Sequence, residues 1–356
     1  MGKVKSDYRY SEIFDKYGSY NHVRDVKWIN TDEYKIDWNL PTKTLTDYTD
    51  KGKEIIGDIG EEIYTKEDFL NEVVFLEEEY DNLKNLLKRK KNLILQGAPG
   101  VGKTFIAKRL AYSIMEERNE DRIEFIQFHQ SYSYEDFIQG YKPTETGFEL
   151  KNGVFYNFCK KAASDSNNDY YFIIDEINRG NISKIFGELM MLIEDDKRGK
   201  EFEINLTYGD EKFYVPENVY IIGMMNTADR SLAMIDYALR RRFVFYNVNP
   251  LFDNDKENNY ILRDHLINKG IDESLALNII EKLASLNRKI LDDEDLGFGF
   301  RIGHSYFLGK GDFDKKWYKS IIKYEIAPIL REYWFDDLDT AESEIDSLYN
   351  ISDYNE

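Results

Sequence analysis

The stretch Asn92-Leu-Ile-Leu-Gln-Gly-Ala-Pro-Gly-Val-Gly-Lys-Thr104 constrains this chain more than any other. Leu93, Ile94 and Leu95 form a short apolar run ending at Gly97, the pattern of a buried parallel strand that feeds a tight turn. Gly97, Gly102, Lys103 and Thr104 then match G-x-x-x-x-G-K-[ST], the phosphate-binding P-loop. Gly97, Ala98, Pro99, Gly100, Val101, Gly102 and Lys103, with Thr104 and Phe105 opening the next helix, are therefore the candidate nucleotide cradle. Glycines let the backbone wrap a phosphate without side-chain clash, so that successive N–H groups and a helix N-terminus face the anion. Lys103 is expected to reach the outer phosphates, and the Thr104 hydroxyl to hold Mg²⁺. Ile106, Ala107, Leu110, Ala111 and Ile114 follow at helical spacing, the context that separates a P-loop from a chance glycine turn.

A chain of 356 residues exceeds one average domain and predicts two or three. No apolar run approaches the roughly 18 residues of a membrane span, and the charged N-terminus has no signal-peptide core. We therefore expect no membrane association. The single cysteine, Cys159, allows no internal disulfide and fits a reducing, cytoplasmic setting. A net charge of −19 makes most of the surface repel nucleic acid, so any DNA contact needs a local patch or a partner.

Residues 1–64 read as an N-terminal extension. Val23-Arg-Asp-Val-Lys-Trp-Ile29 alternates apolar and polar residues as a half-buried strand does. The segment from His22 to Thr46, with Val-Lys-Trp-Ile and Leu-Pro-Thr-Lys-Thr-Leu, resembles the last strands of an EVE-type PUA-like domain, a module that reads modified bases. An aromatic extension packed on the next domain is the alternative. Thr65-Lys-Glu-Asp68 resembles a capping box. Tyr80, Leu83 and Leu87 continue a helical stripe toward the P-loop strand, with the basic run Lys88 to Lys91 at its end.

Ile123, Phe125, Ile126 and Phe128 predict a second strand, followed by a tyrosine-rich loop or short helix that runs from His129 to Pro143. The apolar run from Tyr170 delivers Asp175 and Glu176 at a strand's carboxyl end, the sheet edge where the P-loop also lies. Asp175 is suited to holding Mg²⁺, and Glu176 to orienting and deprotonating an attacking water. Glu188, Leu189, Met190, Leu192 and Ile193 read as one amphipathic helix. Residues 202–215 read as a hairpin turning at Tyr208-Gly-Asp210. The strand from Val219 ends in Asn226-Thr-Ala-Asp-Arg-Ser231, placing a polar side chain between the two preceding motifs. Arg240, Arg241 and Arg242 follow before a short apolar strand.

Gly-Ala-Pro-Gly-Val-Gly-Lys-Thr, His-Gln-Ser-Tyr-Ser-Tyr-Glu-Asp-Phe-Ile-Gln-Gly-Tyr, Asp-Glu-Ile-Asn-Arg-Gly-Asn, Met-Asn-Thr-Ala-Asp-Arg-Ser and Arg-Arg-Arg-Phe together resemble the McrB-type AAA+ GTPases, motor subunits of modification-dependent (type IV) restriction systems. The resemblance covers about residues 65 to 335 and implies a homo-hexameric ring that prefers GTP. It also implies a McrC-type nuclease partner and DNA with modified cytosine, read by an N-terminal domain or a partner. On the family pattern Lys103 and Thr104 bind phosphates and Mg²⁺, Asp175 and Glu176 are the Walker B pair, and Asn226 is the sensor. Asp229 orders its loop. Arg241 is the first choice for an arginine finger acting on a neighbour, with Arg242 and Arg240 behind it.

The expected architecture is an α/β P-loop core with a parallel sheet flanked by helices over 65–250, a helical lid over 251–335 and an acidic, frayed tail over 336–356. Leu275, Leu277, Ile280, Leu283, Leu286 and Ile290 mark one lid helix; Trp317, Ile321, Tyr324 and Leu330 mark another. In Arg301-Ile-Gly-His-Ser-Tyr-Phe307, Arg301 and His304 are expected to approach the nucleotide, Tyr306 and Phe307 to pack lid on core. GTP hydrolysis that drives a partner nuclease is the expected function, with no nuclease site in this chain. An ATP-driven AAA+ remodeller of the MoxR-like kind is the alternative.

Overall fold

Five parallel strands carry the catalytic motifs: β1 (Asn92–Gly97), β2 (Ile123–Gln127), β3 (Tyr170–Asp175), β4 (Val219–Asn226) and β5 (Val244–Asn247). Their order across the sheet is β5-β1-β4-β3-β2, which puts β4 between the P-loop strand and the strand of Asp175. Register is set in part by Ile222 opposite Leu93 and Ile173 opposite Ile222. The computed structural model describes residues 62–209, 211–228, 237–252 and 256–351 and, of the first 61, the backbone at 2–4, 9–10, 22–23 and 26–28.

Period-two alternation sends neighbouring side chains to opposite faces of the sheet. Ile94, Phe172, Ile174 and Ile221 enter one core, while Leu93, Leu95, Tyr171, Ile173, Tyr220 and Ile222 enter the other. Both faces are covered, which is why these strands read as unbroken apolar runs. In the first core Phe137 stacks on Phe155 at 4.8 Å and meets Phe172 edge-on at 5.6 Å. Full burial of a ring of this kind stabilises by about 1.5–3 kcal/mol. The second core is covered by α1 (Lys66–Glu72), α2 (Glu77–Lys90) and α3 (Lys103–Met115). Thr65 caps α1 through the capping box anticipated with Asp68, and α2 buries Tyr80, Leu83 and Leu87.

The amphipathic helix expected from Glu188 is the single turn α5 (Leu189–Leu192), with Glu188 as its N-cap and Leu189 and Leu192 buried; α4 (Ile182–Phe186) precedes it across Gly187 at φ +50°. Ile204–Asn205 pairs antiparallel with Lys212–Phe213, the hairpin expected there. A second hairpin, Gln139–Thr144 with Gly147–Asn152, was not anticipated: only the short helix Tyr134–Phe137 matches the reading of that segment as loop or helix. Most of its residues are exposed, so no apolar run marks it.

The lid comprises α6 (Lys256–Asn268), α7 (Glu273–Asp292), α8 (Lys315–Ile321), α9 (Ala327–Tyr333) and α10 (Leu338–Tyr349). Helix α7 buries Leu275, Ile280, Leu283, Leu286 and Ile290, but Leu277 faces outward because two residues turn a helix by about 200°. Between α8 and α9, Ile322–Ile326 winds as a π-helix and the Ala327 N–H reaches back to the Ile322 carbonyl. Pro328, with no N–H to donate, heads α9. The frayed tail expected over 336–356 is corrected by α10: Ala341, Ile345 and Leu348, at i, i+4 and i+7, are buried in the lid core. Its acidity hid an apolar stripe.

Residues Met1–Ile63 and Glu117–Asn119 form a separate unit. There Gly2–Val4 pairs with Val26–Trp28, Arg9–Tyr10 with His22–Val23, and Glu62–Ile63 with Glu117–Arg118, all antiparallel. The EVE-type resemblance otherwise lies outside the described residues, as do Asp210 and Asp229.

Candidate active site

The P-loop bends where its glycines allow it. A Cβ on Gly97 would lie 2.3 Å from the Val248 carbonyl oxygen, and Gly100 and Gly102 hold φ of +74° and +82°. Those left-handed values cost any other residue strain. Ala98 and Val101 are buried beneath the loop, and Pro99 lines a cleft beside it. Lys103 and Thr104 begin α3, with Lys103 buried and Thr104 exposed. Phe105 is half-exposed under the Arg109 guanidinium, 3.2 Å from its ring centre.

Three motifs distant in sequence converge here. Lys103 Nζ donates to the Gly97 and Ala98 carbonyls at 3.0 and 2.9 Å and to Asn226 Oδ1 at 2.7 Å. Asn226 Nδ2 donates to Glu176 Oε1 at 2.6 Å. The amide thus turns its oxygen to the cation and its nitrogen to the carboxylate. Glu176 sits at φ +50°, a strained backbone for a non-glycine residue, and its Oε2 is 3.1 Å from Arg179 Nε. Asp175 Oδ1 accepts the Glu176 N–H at 3.0 Å. Burial pulls the Lys103 ammonium down to about 8 against the attraction of Glu176 and Asp175. Burial pushes the Asp175 carboxyl up, opposed first by the Glu176 N–H.

The lid is seated directly on the P-loop. A Cβ on Gly303 would lie 2.0 Å from the Gly100 carbonyl, and one on Gly100 would lie 2.3 Å from the Tyr306 ring. The Ser305 N–H donates to the Gly100 carbonyl at 2.8 Å. On the other side of the loop, the Thr227 N–H donates to the Gly97 carbonyl at 3.1 Å and its hydroxyl meets the Gly299 carbonyl at 3.3 Å. A cleft of about 750 Å³ runs between Pro99, Arg179 and Asn226 on the core and Phe300 and Tyr333 on the lid.

Tyr306 packs lid on core as expected, and the expectation for Arg301 and His304 is corrected. Arg301 is buried at the junction, where it donates to the Phe298 carbonyl and to Asn249 Oδ1. Buried His304 accepts the Leu251 N–H on Nδ1, and burial, with His265 nearby, lowers its pKa to about 4. Both side chains tie the segment after β5 to the lid.

The three arginines part company. Arg240 is exposed. Arg241 is 68% exposed and pairs with Glu194 Oε1 at 2.9 Å. Arg242, only 10% exposed, pairs with the same oxygen at 2.7 Å, and its carbonyl accepts from Asn92 Nδ2 at 3.0 Å. The sequence reading missed Arg179, Gly303, Ser305 and Glu194. Asp-Glu-Ile-Asn-Arg places Arg179 one helical turn after Glu176, which was a readable signal. The other three act through contacts made only in the folded chain.

A loop whose glycines clear the space a phosphate needs, above a helix N-terminus, suits a nucleoside triphosphate. The Thr104 hydroxyl and the Asp175 carboxylate, both oxygen donors, suit Mg²⁺. Fold and site together define a P-loop nucleoside triphosphatase of the AAA+ class with a helical lid. Residues 92–243 match the AAA domain of the dynein-related subfamily, and residues 278–342 match the α-helical lid domain of McrB. The chain is 47% identical over 334 residues to the Type IV methyl-directed restriction enzyme EcoKMcrB subunit of Escherichia coli (strain K12), a match that covers 90% of this chain and 72% of that protein. It is also 27% identical over 194 residues to the Type II restriction enzyme BsuMI component YdiS of Bacillus subtilis (strain 168), covering 44% of this chain and 56% of the relative. The chain belongs to the McrB family. Among the described residues, no helix is long and apolar enough to cross a membrane.

Proposed function

We propose that this chain is the GTP-hydrolysing ring motor of a modification-dependent restriction system, and that it drives cleavage of DNA containing modified cytosine by a separate McrC-type nuclease subunit. The observation that carries the reading is the hydrogen-bonded chain Lys103–Asn226–Glu176 at the mouth of the P-loop. It supports a site in which the phosphate-binding lysine and the general base are joined through one amide, with room between them for an attacking water. Residues 65–250 act as the catalytic core and 251–349 as the lid, while residues 1–64 are an N-terminal extension that resembles the last strands of an EVE-type base reader.

In this reading the P-loop amides and Lys103 bind the β- and γ-phosphates, and Lys103 trades its carbonyl partners for phosphate oxygens. Thr104 and Asp175 hold Mg²⁺, which supplies charge neutralisation on the phosphates when bound. Glu176 takes a proton from water as the water oxygen bonds to the γ-phosphorus and the β–γ bridging bond breaks, leaving GDP and phosphate. Asn226 aligns that water with Glu176, and Asp229 orders the loop behind Asn226. Arg241 of one subunit reaches the nucleotide of the next and stabilises the charge of the transition state, a contribution of roughly 10³ to 10⁵ in turnover. Arg242 is held inside its own subunit.

Hydrolysis of GTP and of ATP by the purified chain, alone and with the product of an adjacent nuclease gene, tests the proposal. We expect GTP preference and slow turnover that the partner accelerates. ATP preference, or indifference to a partner, would replace this reading by a general AAA+ remodeller.

A further inference from the structure

Glu194 follows the end of α5, where the Ile193 carbonyl accepts from Asn92 Nδ2 at 2.6 Å and from Arg198 Nη2 at 3.0 Å. Arg198 is fully buried and also bonds Asn92 Oδ1 at 2.7 Å and the Val219 carbonyl at 2.9 Å. This knot joins the roots of β1 and β4 to the backbone of Arg242, through the bond from Asn92 Nδ2. Glu194 extends from it with only a fifth of its side chain exposed and presents one oxygen, Oε1, to both Arg241 and Arg242.

The two pairs have different duties. Arg242 is nearly buried, and a buried guanidinium without a carboxylate is costly, so Glu194 serves first as its counter-charge. Arg241 is two-thirds exposed and meets the same oxygen through Nη2, which leaves the rest of its guanidinium outward. The carboxylate also offsets the repulsion between two cations that are adjacent in sequence. A long side chain is thereby held in one direction from a rigid base at the root of the P-loop strand.

We infer that Glu194 is a positioning residue for Arg241, aiming that guanidinium at the nucleotide of the neighbouring subunit while anchoring it to the donor subunit's own P-loop strand. The inference rests on the proposed role of Arg241 as the arginine that acts between subunits. It assigns Glu194 a defect that belongs to the donor of the arginine, not to the subunit that hydrolyses.

Subunit mixing separates these. Glu176→Gln subunits cannot hydrolyse but still donate Arg241, whereas Glu194→Gln subunits keep every group of their own site. Alone, Glu194→Gln should lose about a hundredfold in kcat with KM unchanged, the cost of misplacing a catalytic group by about 1 Å. Mixed one to one with Glu176→Gln, it should recover activity well above either variant, approaching about a quarter of the wild-type rate when the two distribute at random around a ring. Glu194→Asp keeps the counter-charge of Arg242 but shortens the reach, so it should fold as wild type and show the same recovery, which covers the case of an unstable Gln variant. Arg241→Ala mixed with Glu176→Gln is the reference. If that pair recovers and neither Glu194 variant does, Glu194 does not position the arginine. If the reference pair itself fails to recover, the role of Arg241 is wrong and the inference falls with it.

Discussion

Replacing Gly303 by alanine tests whether the seat of the lid on the P-loop matters for catalysis. The backbone at Gly303 is extended, φ −78° and ψ 162°, a conformation alanine adopts freely, so conformational strain contributes nothing. The contact decides the outcome: the new Cβ would lie 2.0 Å from the Gly100 carbonyl carbon and oxygen and 2.4 Å from the Val101 nitrogen. An ordinary contact begins near 3.4 Å, so lid and loop must separate by about 1.4 Å (3.4 minus 2.0). Both partners are backbone, which cannot swing aside as a flexible side chain would. The Ser305 to Gly100 hydrogen bond, 2.8 Å long, opens with them and costs about 0.5–1.5 kcal/mol, on top of about 1–3 kcal/mol for overpacking. A displacement of that size at the phosphate cradle should lower kcat by about a hundredfold. Steady-state hydrolysis and thermal unfolding measure both effects, with Gly309→Ala as control, since a Cβ there meets nothing within 4 Å. A Gly303→Ala protein that turns over and melts like wild type would refute the seating argument.

Three further outcomes follow from the site. Lys103, pulled down to about 8 by burial, should take up a proton when it meets phosphate. Nucleotide affinity should therefore fall as pH rises above 8, by about tenfold per unit for one linked proton, and titrations of a fluorescent nucleotide that stay flat from neutrality into that range would rule this out. Asn226→Ala severs Lys103 from Glu176 and should lower kcat by about 10² to 10³ while leaving nucleotide binding nearly intact, which separate kinetic and equilibrium measurements will distinguish. His304, buried and lowered to about 4 from 6.5, is neutral in the fold but titrates nearer 6.5 when unfolded. The unfolded chain then binds more protons between those values, so the stability His304 contributes is complete above 6.5 and is lost as pH falls toward 4. The difference in melting temperature between wild type and His304→Asn should narrow across that window, and a constant difference would count against it.

The sheet and its motifs were legible because their residues obey local rules. Leu93 to Leu95, Tyr170 to Ile174 and Val219 to Met225 are apolar throughout, since both faces of a parallel sheet are covered; the first leads into the glycine turn and the other two end in Asp175 and Asn226. Tyr80, Leu83 and Leu87 recur at helical spacing, and α2 buries those three. The exposed hairpin at 139–152 carries no such pattern. Arg301 and His304 misled because the most reactive side chains of their segment were assumed to be its working parts. The fold spends them on the hinge, where Asn249 and Leu251 absorb their polar atoms, and gives the P-loop contact to Gly303 and Ser305, whose value lies in having little or no side chain. Backbone contacts of this kind leave no trace in residue chemistry.

The P-loop is held from two sides by segments that answer to different parts of the molecule. Its first carbonyl, at Gly97, is tied to Thr227 at the tip of β4, and the Gly100 carbonyl is tied to Ser305 of the lid. Thr227 in turn touches Gly299 of the lid, so loop, strand tip and lid close a circuit around Lys103, Asn226 and Glu176. The Gly97 carbonyl accepts from both Lys103 and Thr227, so the lysine and the strand tip share one acceptor on the loop. The root of the same strand β1 is fixed through Asn92 to the backbone of Arg242, next to Arg241. One six-residue strand therefore leads into the P-loop, with its ties to the strand tip and the lid, at one end and is bonded to the backbone of Arg242 at its root. A close-packed strand transmits displacement with little compression, so we predict that lid seating and arginine placement couple through β1. Gly303→Ala should therefore impair a subunit both as hydrolyser and as donor of Arg241, and its mixtures with Glu176→Gln should recover less activity than those of Arg241→Ala.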